Sequence, residues 1–287
     1  MNIQWYPGHM TKTRRLITEN LKLVDIVIEL VDARIPFSSK NPDIEELSRN
    51  KPRILVMNKS DLADPNTTSR WISWFAQKGY GVITVNSVTG KGISDVDKTA
   101  RELLKEKIEK DKQRGRIFRP IRAMVVGIPN VGKSTFINKL VGRSSAKTGD
   151  RPGVTKGKQW IKIKKDFELL DTPGILWPKF EDMNVGMKLA FTGAIKQEIL
   201  DTHTLSLELL KLLSSKFPNT LESRYKLTDI ESKTPMELLT EIGQKRGFLI
   251  SGGEVDYPRT ALVVLDELRT GKLGNLTLEA PEEIETS

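Results

Sequence analysis

The chain has 287 residues, 38% of them hydrophobic and 29% charged, enough for one sizeable core and a smaller second unit. It contains no cysteine and only two histidines, His9 and His203, which excludes disulfides, thiolate metal sites and a histidine-rich metal centre. The net charge of +9 is uneven: residues 1–179 carry 34 basic against 19 acidic side chains and residues 180–287 carry 12 against 18, so the attraction for a polyanion lies in the first part.

In chain order, the opening "MNIQWYPGHMTKTRR" lacks the apolar core of a signal peptide, and no apolar run reaches the roughly 18 to 20 residues of a membrane span. A cytoplasmic protein is the expectation. "TKTRRLITENLKL" has helical spacing, and "VDIVIELVDAR" reads as a buried strand. "RILVMNKSD" is a second strand entering a polar turn, "WISWFAQKG" a helix closed by Gly, and "YGVITVNSVTG" a third strand with its loop. Residues 92–113 read as one long helix, inside a stretch (105–122) that holds eight basic and three acidic residues. That stretch is either a solvated helix and linker or a phosphate-binding surface. "IRAMVVGIPNVGKSTFINKLVG" is strand, glycine loop and helix, and "KQWIKIKKDFELLDTPG" is two strands joined by a tight turn. Strands alternating with helices predict a doubly wound, mostly parallel α/β sheet over residues 1–178. From 179 to 287 the pattern turns helical in "TLSLELLKLLSSKF", "TPMELLTEIGQKRG" and "YPRTALVVLDELRTG", and the tail "LEAPEEIETS" has little to pack and reads as disordered.

The strongest chemical signal is "GIPNVGKST". Gly127, Gly132, Lys133 and Ser134 fit G-x-x-x-x-G-K-[ST] between a strand and a helix. Such a loop, spanning Asn130, Val131, Gly132, Lys133, Ser134 and Thr135, turns backbone N–H groups onto phosphate oxygens, with Lys133 as a point charge and the Ser134 hydroxyl as a Mg²⁺ ligand. Asp171 and Gly174 of "DTPG" follow an apolar strand at the distance expected of an aspartate on the Mg²⁺ shell and a glycine N–H at the γ-phosphate. Base choice rests on "NKSD" (Asn58, Lys59, Ser60, Asp61). The Asp61 carboxylate accepts from the guanine amino and ring N–H groups, Asn58 holds O6 or neighbouring loops, and the Lys59 stem covers the ring. Asn86 and Ser87 end the next strand, where a loop N–H can reach O6.

The order is unusual, because "NKSD" precedes the phosphate loop by about seventy positions. A site at the carboxyl ends of sheet strands is indifferent to which strand comes first, and adjoining termini can be joined while the chain is cut elsewhere. Residues 92–122 are then the join, and the cut follows "DTPG".

The ordered set NKSD, NSVTG, GIPNVGKS, RPGVT, DTPG, with "WYPGHM" in front and "GILWPKF" behind, resembles the circularly permuted GTPases, most closely the ribosome biogenesis GTPase A group. The resemblance spans essentially the whole chain. It implies a GTPase acting late in assembly of the large ribosomal subunit, stimulated by that particle, contacting its RNA and proteins, with no membrane or DNA partner and acting as a monomer. It also assigns Thr155 of "RPGVT" to the switch that closes on Mg²⁺ and the γ-phosphate, and Asn130 to a K⁺ beside the phosphates. Ile175 stands where small signalling GTPases carry a water-orienting glutamine, and the resemblance points instead to His9. Two other readings remain open: an ATP-using phosphate-loop enzyme, which Asp61 opposes, and an RNA-binding assembly placeholder with nucleotide as a structural ligand.

Overall fold

Strand β1 (Ile26–Asp32) sets the architecture, since all seven of its residues are buried. Only a strand covered on both faces can look like that. Its Ile26, Val27, Ile28, Leu30 and Val31 each contribute about 1.5–3 kcal/mol of apolar burial. The computed structural model describes residues 10–115, 120–142, 159–171, 182–195 and 201–285. Contacts group residues 1–181 with 277–287 as one unit and Asp182–Leu276 as a second.

In the first unit six strands form one sheet in the order β3-β2-β1-β4-β6-β5. β2 (Arg53–Asn58), β3 (Gly81–Val85), β4 (Ile121–Gly127) and β6 (Phe167–Asp171) join β1 in parallel pairings, and β5 (Gln159–Lys164) runs antiparallel at the edge. The expected mostly parallel α/β sheet is therefore what forms. Register places Asp32 opposite Asn58, Asn58 opposite Val85, Leu30 opposite Gly127 and Val125 opposite Asp171. The last residues of five strands thus share one edge, the place where open α/β sheets bind ligands.

Helices α1 (Met10–Leu21), α2 (Pro42–Leu47) and α3 (Pro65–Gln77) pack on β1, β2, β4 and β6 through two apolar clusters, one around Ile17, Ile44 and Met124 and one around Trp71, Phe75 and Met57. α3 starts six residues before the aromatic stretch that signals it, because Asp64 accepts from Thr67 N at 2.7 Å and Pro65 occupies the first turn. α2 is too short to show a period. Its determinants are local: Asn41 caps it and Pro42 opens it. The single helix expected over 92–113 is two, α4 (Asp95–Leu103) and α5 (Lys105–Gln113). They meet at Leu104, whose φ of −97° and ψ of 4° leave the helical well. Leu104 is buried at this corner, and no residue of α5 beyond it is buried. α4 and α5 carry the chain from the edge strand β3 towards β4, as expected of the join. α6 (Lys133–Val141) follows β4.

The second unit holds α7 (Met183–Phe191), α8 (Thr202–Lys216), α9 (Pro218–Tyr225), α10 (Pro235–Lys245) and α11 (Tyr257–Arg269). Leu209, Leu210 and Leu213 of α8 bury with Leu238, Leu239 and Ile242 of α10 and Val264, Leu265 and Leu268 of α11. Thr234 and Glu237 form a reciprocal capping box at the start of α10. Arg269 closes the end of α7 by donating to the carbonyls of Ala190 and Phe191 at 3.0 Å each.

The disordered-tail expectation is corrected. Leu278 is fully buried, Thr277 and Glu279 nearly so, and α12 (Pro281–Glu285) follows, all within the first unit. An acidic composition resembles a solvated tail, but this segment is held by hydrogen bonds that no composition reveals.

One buried acid deserves a functional control. Glu29 lies between Val27 and Val31 on one face of β1 and accepts from Asn41 N at 3.0 Å. Burial pushes its carboxyl up to about 7, against the pull of Lys40, the Asn41 N–H and Arg53. A carboxyl that prefers to be neutral in the fold favours folding below its ordinary value of 4.5, and that contribution is lost as pH rises towards 7. Glu29→Gln, which never ionises, is therefore expected to gain melting temperature over the parent by about several degrees between pH 5 and pH 8. Thermal melts of both proteins across that range check it.

Candidate functional site

The turn after β4 is built for an anion. Gly127 runs so close to β1 that a Cβ would stand 3.0 Å from Leu30 O. Asn130 (φ 57°) and Gly132 (φ 95°) then take left-handed conformations that swing the chain into α6. α6 opens with no side-chain cap, so its first N–H groups are set for an oxyanion. Lys133 is buried at this start, Ser134 and Thr135 occupy the first turn at intermediate exposure, and Val131 is buried beneath the loop.

Asn58, at the end of β2, ties three loops together. Its Nδ2 donates to Val131 O at 2.7 Å, and its Oδ1 accepts from Ser87 N at 3.1 Å and Ser87 Oγ at 2.7 Å. The sequence left open whether Asn58 holds the base or its neighbours, and the geometry shows it holding neighbours. A Cβ on residue 132 would sit 2.4 Å from Asn58 Nδ2, so Gly132 is required by this amide as much as by its own φ. The Ser87 N–H, one candidate donor to a base oxygen, is engaged by Asn58. Asn86 folds its own loop by accepting from Val88 N and Thr89 N at 2.9 Å each.

Lys59 leaves β2 with a left-handed φ of 58°. Its Nζ lies 3.0 Å from Asp32 Oδ2, and Arg34 donates to the same carboxylate from Nε at 2.9 Å and a terminal nitrogen at 2.7 Å. Burial alone would raise the Asp32 carboxyl, but Lys59 and Arg34 outweigh it and hold Asp32 well below the usual carboxylate range. Ser60 N donates to Val85 O at 3.2 Å, and Asp61 stands exposed beside this cluster. Asp32 and Arg34 were not singled out in the sequence. The signal was present in "VDAR", an acid and an arginine ending a fully buried strand at the ligand edge.

The structure thus brings Asn58, Lys59, Ser60, Asp61, Asn86, Ser87 and Asn130 to Thr135 to one edge of the sheet. Asp171 ends β6 along the same edge, in register with Val125. His9, Thr155 and Gly174 lie outside the described residues.

A family model described as "50S ribosome-binding GTPase" matches residues 122–238. That span contains the phosphate loop and "DTPG" but not "NKSD", as a permuted order requires. The ribosome biogenesis GTPase A of Bacillus pumilus is 52% identical over 98% of this chain and 100% of its own length. The chain belongs to the ribosome biogenesis GTPase A family. The Thermotoga maritima member of the family is 35% identical over 98% of this chain and 96% of its own. Two solved structures of YlqF from T. maritima are similar at 29% identity. The GDP-bound form covers 93% of this chain and 100% of its own with a TM-score of 0.68, and the GNP-bound form covers 94% and 99% with a TM-score of 0.64. As a family member the chain is a GTPase, and the ATP-using alternative falls away.

Gly132→Ala is expected to weaken guanine nucleotide binding by at least about tenfold, since the new methyl must displace the Asn58 amide from a strained φ. Gly142→Ala is the control. It carries a left-handed φ of 74° at the end of α6 with nothing within 4 Å among the described residues, so it should cost stability of about 1 kcal/mol and leave affinity nearly unchanged. Fluorescent-GDP titrations of both variants decide.

Proposed function

We propose that this ribosome biogenesis GTPase is a cytoplasmic, monomeric switch that acts late in assembly of the large ribosomal subunit and hydrolyses GTP fastest on that particle. The single observation that supports it is the convergence of "NKSD", "NS" and the phosphate loop on one sheet edge through the Asn58 amide, in a chain whose relatives carry the ribosome biogenesis name. Among the described residues no helix is long and apolar enough to cross a membrane. Ribosomal RNA and proteins are the partners this reading implies, with the basic 105–122 stretch and the helical unit as the contacting regions.

The residues fit a nucleotide with its metal. The uncapped start of α6 and the Cβ-free Gly132 leave room for phosphates, and Ser134 in the first turn of α6 is a hard oxygen donor beside them; by sequence Asp171 and Thr155 are the further oxygen donors assigned to the metal. These residues would hold a Mg²⁺, which would supply charge neutralisation at the phosphates. Lys133 contributes a second positive charge, and Asp61 reads the base. Asn130 would hold a K⁺, which would supply a further cation beside the phosphates.

Ile175, next to "DTPG", has no group to orient water, so that task falls to His9. His9→Ala should leave GTP affinity nearly intact and lower particle-stimulated hydrolysis by about 10² to 10⁴-fold. Single-turnover rates with and without large-subunit precursors measure it, and full stimulated turnover in the variant would remove His9 from the chemistry. The role of Asn130 is checked separately. With nucleotide saturating, hydrolysis in K⁺ should exceed that in Na⁺, and Asn130→Ala should abolish the difference; equal parental rates in the two salts would remove K⁺ from the site.

A further inference from the structure

The three residues that follow the helical unit grip two loops at once. Glu279 Oε1 accepts from the N–H groups of Phe37 and Ser38, the latter at 2.9 Å, and Oε2 accepts from Ser38 Oγ. Leu278 N donates to Arg34 O at 2.8 Å, and Trp71 Nε1 donates to Glu279 O at 3.0 Å. On the other side Thr277 Oγ1 accepts from Asp64 N at 3.1 Å, three residues beyond Asp61. Leu278 and Glu279 are 0% and 1% exposed. A buried carboxylate needs converging donors, and the N–H groups of Phe37 and Ser38 and the Ser38 hydroxyl supply them here.

Both gripped loops belong to the proposed guanine end of the site. The first carries Arg34, which holds Asp32, which in turn holds Lys59 at 3.0 Å. The second runs from Asp61 into the cap of α3. Asp61 is exposed and needs a rigid mount to read two guanine donors, because a loosely held acceptor loses directional contacts first.

We infer that Thr277–Glu279 form a strap that positions the guanine-reading loop, with Glu279 as its principal positioning residue. The inference rests on the assignment of Asn58–Asp61 to the base. Base discrimination by this GTPase then depends on a segment more than 200 positions away in sequence, which acts through its hydrogen bonds to the two loops.

The test compares GDP with inosine diphosphate, which lacks the amino group that Asp61 would accept from, in the full-length protein at a temperature well below melting. Glu279→Ala should weaken GDP binding by about tenfold and inosine diphosphate binding far less, so that discrimination narrows. Glu279→Gln keeps an oxygen for both backbone donors and an amide for Ser38 Oγ, and should retain most of the parental ratio. Ser38→Ala, a milder loss, should narrow the ratio in the same direction by less. If Glu279→Ala lowers both affinities equally, or lowers only the melting temperature, the strap merely stabilises the fold and the inference is overturned. Asp61→Asn separates the two levels. If it narrows the ratio and Glu279→Ala does not, the strap fails alone; if it leaves the ratio unchanged, the base assignment fails and the strap falls with it.

Discussion

The side-chain amide of Asn58 is the constraint on which the rest of the site depends. One planar group donates to the phosphate-loop carbonyl of Val131 and accepts from the backbone and hydroxyl of Ser87. It can do so only because β1, β2, β3 and β4 are parallel and in a register that ends them along one edge. Buried amides are stabilising when every bond is made and costly when one is missing. The amide therefore couples the proposed base-reading loop to the proposed phosphate loop, and it dictates a residue without a side chain at 132.

Two buried acids in β1 show how position decides charge. Asp32, at the strand end, meets Arg34 and Lys59 and stays ionised. Glu29, three residues earlier and deeper, accepts one backbone N–H on Oε1 while burial works against its charge. The difference follows from desolvation against ion pairing. Ionised Asp32 is useful where it stands, because it fixes the stem of Lys59 beside the proposed base loop.

The helical unit is an insertion in the first unit's chain rather than an appendage. Contacts return the chain to the first unit at Thr277, and Leu278 donates to Arg34 O there. A boundary drawn at residue 178 with everything beyond it assigned to a second domain misses this return. The observed second unit instead runs from Asp182 to Leu276.

The sequence by itself determined the fold class, all six strands, the five motifs and their permuted order, because apolar periodicity and glycine placement are local signals. It also predicted the three longest helices of the second unit. Short helices such as α2 and α9 escaped it, since six to eight residues carry too few turns to show a period. The break at Leu104 escaped it because that corner is set by burial. What only the tertiary structure decided is which polar groups meet. That Asn58 faces Val131 and Ser87, that Asp32 holds Arg34 and Lys59, and that an acidic tail inserts Glu279 among backbone donors are contacts between residues as far as 242 positions apart. Hydrogen bonds are directional and short-ranged, so their partners follow from strand register and loop path, which no local stretch of sequence specifies.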